Sequence, residues 1–472
     1  MLRLLLLAAA CTAAAAAIAE LNSSTYAGPL SCKSAAALKG RATPAVIRGY
    51  LNADDLAGWT PEALRDRFFF TGITQVPVHV SDAGRVFTRY KAQRFFKGHA
   101  ADLAFEERNL TLPALTELYG SEEPPHAHFK ATLAEWRKGS TPHPLKEDAQ
   151  KLGLDGVCRA SKTCGSCVKA SGDELTMLSP GVTEQAMYES QDAHFFQLGG
   201  QRRVTLFAPD AQRYLCSYPA VHPRHRVAAA DMSLLSRKVA ERAGLGSANS
   251  SGPVGPRCAG WEAAVADGTA APHAVTLGAG DLLFVPAYWT AHFEATSWSV
   301  SYAIPSVAPA ADGVERAVRA FSKALAGIVA GPARQREQTP IVFRGLLKRI
   351  LAKAFSTDEG AKLVRRLHAG SWALALGDRA ATGPLSAAAK KTFCSFEVEG
   401  KEVARHAKLT VRALRRLDLP ARVAVAATLV DRSAAWLAGR QAMAFEEIGE
   451  WLRSFSECPV LEKMTRGTKP EL

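Results

Sequence analysis

Past its first twenty residues the sequence has no run of eighteen consecutive apolar side chains, so it offers no segment able to cross a bilayer as a helix. It has no internal repeat, which excludes solenoid and propeller arrays. Its 47% hydrophobic and 22% charged residues are the proportions of a globular chain, and a wholly disordered one is excluded. Negative charge is scarce in the second half. From Ser306 to Leu472 there are 28 Lys and Arg against 17 Asp and Glu, a surplus of 11, so the rest of the chain supplies only +2 of the net +13.

The segment "MLRLLLLAAACTAAAAAIAE" carries one basic residue, an apolar run and the small-residue pattern Ala17-Ile18-Ala19. It is expected to act as a secretory signal peptide, residues 1–19, cut after Ala19, with no transmembrane segment left in the mature chain. Three N-glycosylation tripeptides begin at Asn22, Asn109 and Asn249. The terminal Lys469-Pro470-Glu471-Leu472 resembles an endoplasmic-reticulum retrieval signal with proline at its second place. A protein of the endoplasmic reticulum lumen, or a secreted one, is therefore expected, and with it no nucleic-acid partner for the basic half. Loss of the signal removes Cys11 and leaves eight cysteines, an even number that suits disulfides in an oxidising compartment. Within "CRASKTCGSC", Cys158, Cys164 and Cys167 admit a zinc, redox or structural-disulfide reading, of which the last is favoured because the loop is rich in Ser, Lys and Gly.

The periodicities divide the chain into an N-terminal α/β part (20–175), a region of short strands (176–308) and a basic helical domain (309–472). "TPAVIRGYL" reads as a strand, and "TPEALRDRF" as a helix capped by Thr60 with Pro61 at its first position. "GITQVPVHVSD" reads as a strand that Pro77 demotes towards an edge, while "LPALTELYG" and "HFKATLAEWRKG" read as helices. Between Gln185 and Pro305 "HFFQLGG" ends in a turn, "QRRVTLFAP" is a strand, and three more strands follow from His273, the pattern of an antiparallel barrel or sandwich. From "VERAVRAFSKALAGIV" onward, five segments carry apolar residues at helical spacing.

Three stretches carry chemistry. "FFQLGGQRRVTLFAPDAQRYLCSYPAVHP" and "GAGDLLFVPAYWTAHFEA", preceded by "TPAVIRGYLN" and Trp59, together resemble the JmjC/cupin-like family of iron(II) and 2-oxoglutarate dioxygenases, most closely its asparaginyl hydroxylases. The resemblance runs from Pro44 to Pro305. It implies a mainly β core, a double-stranded β-helix or cupin/JmjC jelly roll, with N-terminal α/β decoration and a C-terminal all-α domain. It implies Fe(II) and 2-oxoglutarate as cofactors and hydroxylation of a protein side chain as activity. Carried over residue by residue, His292 and Glu189 match two metal ligands. Arg202 and Thr183 match positions that hold the 2-oxoglutarate carboxylate, and Ala193 and Ser301 stand where asparagines line the pocket.

Met187, however, stands at the third ligand position, and the chain has no histidine between His143 and His194 to replace it. A thioether is a soft, neutral donor suited to copper(I) rather than iron(II). Two main readings follow, beside a third in which a cupin binds another metal or a small ligand without oxygenase activity. In one, a luminal oxygenase holds iron through Glu189, His292 and a substitute ligand such as Asp192 or His194. In the other, the barrel binds no cofactor, Met187 fills the vacated position, and the chain serves as a binding or scaffold protein for a protein partner. A homodimer through the helical domain is a further expectation.

Overall fold

The computed structural model describes residues 18–21, 43–69, 75–82, 86–87, 105–132, 174–189, 191–219, 224–230, 261–266, 272–306, 320–323, 339–355, 385–394, 401–417, 419–440 and 443–457, with a few isolated positions besides. The signal segment up to residue 17, the Cys158–Cys167 cluster, Asn22, Asn249 and the C-terminal tetrapeptide lie outside these residues.

Twelve strands form one mixed sheet, and the helices gather mostly in the C-terminal part. The strands are β1 (Ala19–Leu21), β2 (Ala45–Ile47), β3 (Gln75–Ser81), β4 (Val86–Phe87), β5 (Glu106–Thr111), β6 (His126–Thr132), β7 (Glu174–Leu178), β8 (Thr183–Tyr188), β9 (Asp192–Phe207), β10 (His273–Leu277), β11 (Leu282–Val285) and β12 (Thr290–Ser306). The main path runs β1-β2-β11-β9-β12-β7-β6-β3-β5, while β10 pairs with β9, and β8 bridges β12 to β4.

Two long strands, β9 and β12, organise the sheet. The start of β9 pairs with β11 and with the end of β12, whereas its end pairs with β10 and with the start of β12. The stretch that reads as a strand, a Gly-Gly turn and a second strand is thus one continuous strand with a bend inside it. The bend has a steric cause. Gly200 has φ +65, and a Cβ there would lie 1.6 Å from the Trp298 carbonyl oxygen; a Cβ on Gly199 would meet the Trp298 ring at 2.6 Å. Only glycine lets the two backbones cross this closely.

Several sequence expectations hold. A helix α1 (Pro61–Phe69) opens with the Ala63 amide donating to Thr60 Oγ1 at 3.2 Å, and Val76, Val78 and Val80 are buried on one face of β3. Pro77 sits in a strand with neighbours on both sides, but β6 reaches only residues 79–81, so at Pro77 the strand is paired on the β5 side alone. "LPALTELYG" forms helix α2 (Leu112–Gly120). "HFKAT" corrects the helical expectation, because it belongs to β6, flanked by β3 and β7, with His126, Ala127, His128 and Phe129 all buried. A strand buried on both faces loses the apolar–polar alternation that would betray it.

Beyond β12 every described element is helical, including α3 (Thr339–Ala354), α4 (Lys401–Leu414), α5 (Leu419–Arg440) and α6 (Phe445–Glu457). Their apolar faces share one core, built around Phe343, Leu347, Val425, Leu429 and Trp451. That core also takes in Tyr288, from the turn between β11 and β12. Tyr288 is 2% exposed with φ +66; its amide donates to the Glu189 carbonyl at 2.7 Å, and its own carbonyl accepts from Gln212 Nε2 at 2.7 Å. No helix among the described residues is long and apolar enough to cross a membrane.

Candidate functional site

The halves of β9 and β12 enclose a cavity of about 230 Å³, completed by β6, β7 and β8. Its sequence logic is strand alternation. Lys130, Thr176 and Ser301 stand side by side across β6, β7 and β12, and all three side chains line it; so do Ala291, Phe293 and Ala303, each two residues on from an inward neighbour or its equivalent across the bend.

One irregularity decides which residues of β8 enter. Met187 pairs with Ala291, but Glu184 pairs with Phe293, so Gln185 and Ala186 together face the single residue His292. This β-bulge resets the alternation: Met187 lines the cavity, and three residues earlier Glu184 lines it too. Thr183, the expected carboxylate-binding residue, is displaced from the lining by the same bulge.

Glu184 is the centre of a buried polar group that sequence reading missed. Arg202, 2% exposed, places Nη1 3.5 Å from Glu184 Oε2, donates through Nε to Ser299 Oγ at 3.2 Å, and lays its guanidinium 5.3 Å from the Phe293 ring centre. His128 Nε2 lies 3.2 Å from Glu184 Oε1, and Lys130 stands 3.7 Å from Glu184 and 2.8 Å from Glu174. Burial acts to raise the Glu184 pKa, but Lys130, the His128 hydrogen bond and Arg202 outweigh it and hold the carboxyl far below the usual range. Burial lowers the Arg202 pKa, and Glu184 opposes it. Lys130 and His128 escaped notice because β6 gives no strand signal, and Glu184 because a bulge leaves no mark in a single sequence.

The expected metal positions diverge. Met187 and Glu189 line the cavity, and Glu189 forms an ion pair with Arg226. His292 lies between Ala291 and Phe293, whose side chains both line the cavity, and its own does not. Its buried ring bonds instead to the Glu184 backbone, and Nδ1 has no partner among the described residues. Burial lowers its pKa, against a smaller pull from Glu294. Of the two substitute ligands, His194 also stays out of the cavity, its ring 5.3 Å from that of Phe284 and its pKa lowered by burial to about 4. Asp192 does line the cavity; its Oδ1 accepts from the Ala287 amide at 2.8 Å, and burial raises its pKa to about 6 despite that bond.

The structure thus brings Met187, Glu189, Arg202 and Ser301 to one cavity and leaves Thr183 and His292 outside it. No group of three or more His, Cys, Asp or Glu side chains among the described residues is placed to hold a metal ion. A facial triad needs two imidazoles and a carboxylate converging on one point, and Met187, Glu189 and His292 as placed here do not supply one. No protein-family model matches the chain, and no curated protein matches it.

Proposed function

We propose that the chain is a cupin-like binding protein of the secretory pathway, its double-stranded β-helix carrying a ligand cavity in place of an iron centre. The observation that carries this reading is the divergence of the metal positions: Met187 supplies a thioether, Glu189 is engaged by Arg226, and the His292 ring is turned to the opposite face of its strand. The bent pairing of β9 with β12 supports the β-helix architecture, and the cavity between their halves is where such barrels hold small ligands. Glu184 stands against Arg202, where a cosubstrate carboxylate would have to compete with it. Cys216 is disulfide-bonded, as suits an oxidising compartment and the luminal location read from the signal segment. A cavity already lined by compensated ion pairs suits recognition rather than redox chemistry, with a protein as the partner of the whole molecule.

The test is anaerobic titration of the full chain with iron(II) and 2-oxoglutarate, following bound metal and succinate. The expected outcome is no stoichiometric iron and no succinate, for the wild type and for Met187→His alike, since the substituted imidazole would still lack His292 as a companion. One equivalent of tightly bound iron in the wild type, with succinate released, would overturn the proposal.

A further inference from the structure

Four carboxylates line the cavity, and three of them are matched by cations. Glu174 is paired with Lys130 at 2.8 Å, Glu184 with Arg202 and Lys130 while also hydrogen-bonded to His128, and Glu189 with Arg226. The fourth, Asp192, is 4% exposed, and its single hydrogen bond among the described residues is the one from the Ala287 amide. Among the described residues no cation contributes to its electrostatics. A buried carboxylate is ordinarily paired, because removing it from water uncompensated is costly. Asp192 therefore leaves one unmatched negative charge at an accessible wall of the cavity.

We infer that the Asp192 end of this cavity binds a primary ammonium group carried on an apolar stem. The inference rests on the binding-protein reading above and names its ligand class. Three features select that class. Oδ1 is already occupied by the Ala287 amide, so one oxygen remains; that suits the compact point charge of an ammonium rather than the two-pronged fork of a guanidinium. The apolar lining of the same cavity includes Met187, Phe195, Val285, Pro286 and Trp289, which accept an alkyl stem and offer an aromatic ring to a cation. A metal ion would demand several oxygen or nitrogen donors, and Glu189, the lining carboxylate nearest to Asp192 in the sequence, is held by Arg226.

The ammonium is either that of a free alkylamine or that of a lysine side chain within a polypeptide, and the probes separate them. Calorimetric titration of the full chain with n-pentylamine, Nα-acetyl-lysine amide, 1-pentanol and succinate is the experiment. Saturable binding of either amine at one per chain, with 1-pentanol at least tenfold weaker, is the expected result. Binding of pentylamine alone assigns a free amine, and binding of the blocked lysine assigns a side chain. Asp192→Asn keeps the oxygen that accepts from Ala287 while removing the charge, and it should weaken amine binding at least tenfold. The inference is overturned if neither amine binds, if 1-pentanol or succinate binds as well as the amines, or if Asp192→Asn binds them unchanged. The pentanol comparison needs no variant, so it decides the matter even if the substitution fails to fold. Stoichiometric iron(II) uptake in a parallel titration would sink the binding-protein reading itself, a result distinct from the absence of amine binding.

Discussion

Two residues two positions apart on β9 give the protein opposite responses to acid. Asp192 has its pKa raised by burial to about 6, above the ordinary carboxylate value of 3.8, so ionising it costs the folded state stability as pH rises through this window. His194 has its pKa lowered by burial to about 4, below 6.5, so the unfolded chain takes up its proton first and stability is lost as pH falls from 6.5 towards 4. By the usual conversion of pKa differences each effect is on the order of 3 kcal/mol at most. Urea midpoints at pH 7.5 and pH 4.5 check both: Asp192→Asn should gain more stability over the wild type at pH 7.5 than at pH 4.5, and His194→Gln should flatten the acid-side loss. A change that is equal at the two pH values would refute the linkage. Gly200 gives a steric prediction. Alanine there would be driven into the Trp298 carbonyl at a left-handed φ, so Gly200→Ala should cost roughly 3 kcal/mol or more, seen as loss of soluble folded protein.

At the scale of elements, the bulge in β8 sets the character of the cavity. It brings Glu184 inward against Arg202, and breaking a buried pair by removing one partner leaves the other charge stranded. Glu184→Ala is thus expected to lower stability by about 3–5 kcal/mol, with acetate or formate restoring part of it by supplying a carboxylate to Arg202; thermal melts with and without the salts, against a chloride control, measure this. The helical region has its own buried cation. Arg344 on α3, 3% exposed, donates to the Phe393 carbonyl and, at 3.0 Å, to the Ser454 carbonyl on α6. Those two directions need a planar fork, so Arg344→Lys should recover only part of the roughly 2–4 kcal/mol lost in Arg344→Ala, as read from denaturant midpoints.

Elements with a local signature were legible in the sequence. Thr60-Pro61 marked a helix start, Val76, Val78 and Val80 marked a buried strand face, and the helical spacing after Pro309 marked the C-terminal helices. What escaped notice depends on contacts far apart in the chain. β6 is buried on both faces by β3 and β7, so its composition carries no period, and the continuity of β9 through Gly199 and Gly200 depends on Trp298, about a hundred residues away. Of the candidate site, the inward positions of Met187, Glu189, Arg202 and Ser301 were readable from motif and alternation. The facing of His292 was not, because one extra residue on β8 changes which side chains meet across the strands.

At the scale of the whole molecule, the turn from Pro286 to Trp289 belongs to everything at once. Asp192 holds its Ala287 amide, Gln212 holds the Tyr288 carbonyl, the Tyr288 ring is counted in the helical core, and Trp289 lines the cavity. The sheet and the helices accordingly cannot come apart without exposing one buried tyrosine to water. A single calorimetric transition is expected for the wild type, and Tyr288→Ala should split it in two, a result that unchanged cooperativity would contradict. Four successive residues thereby join the cavity wall to the helical core, so that any molecule filling the cavity beside Asp192 would press on the same short span that the helices grip.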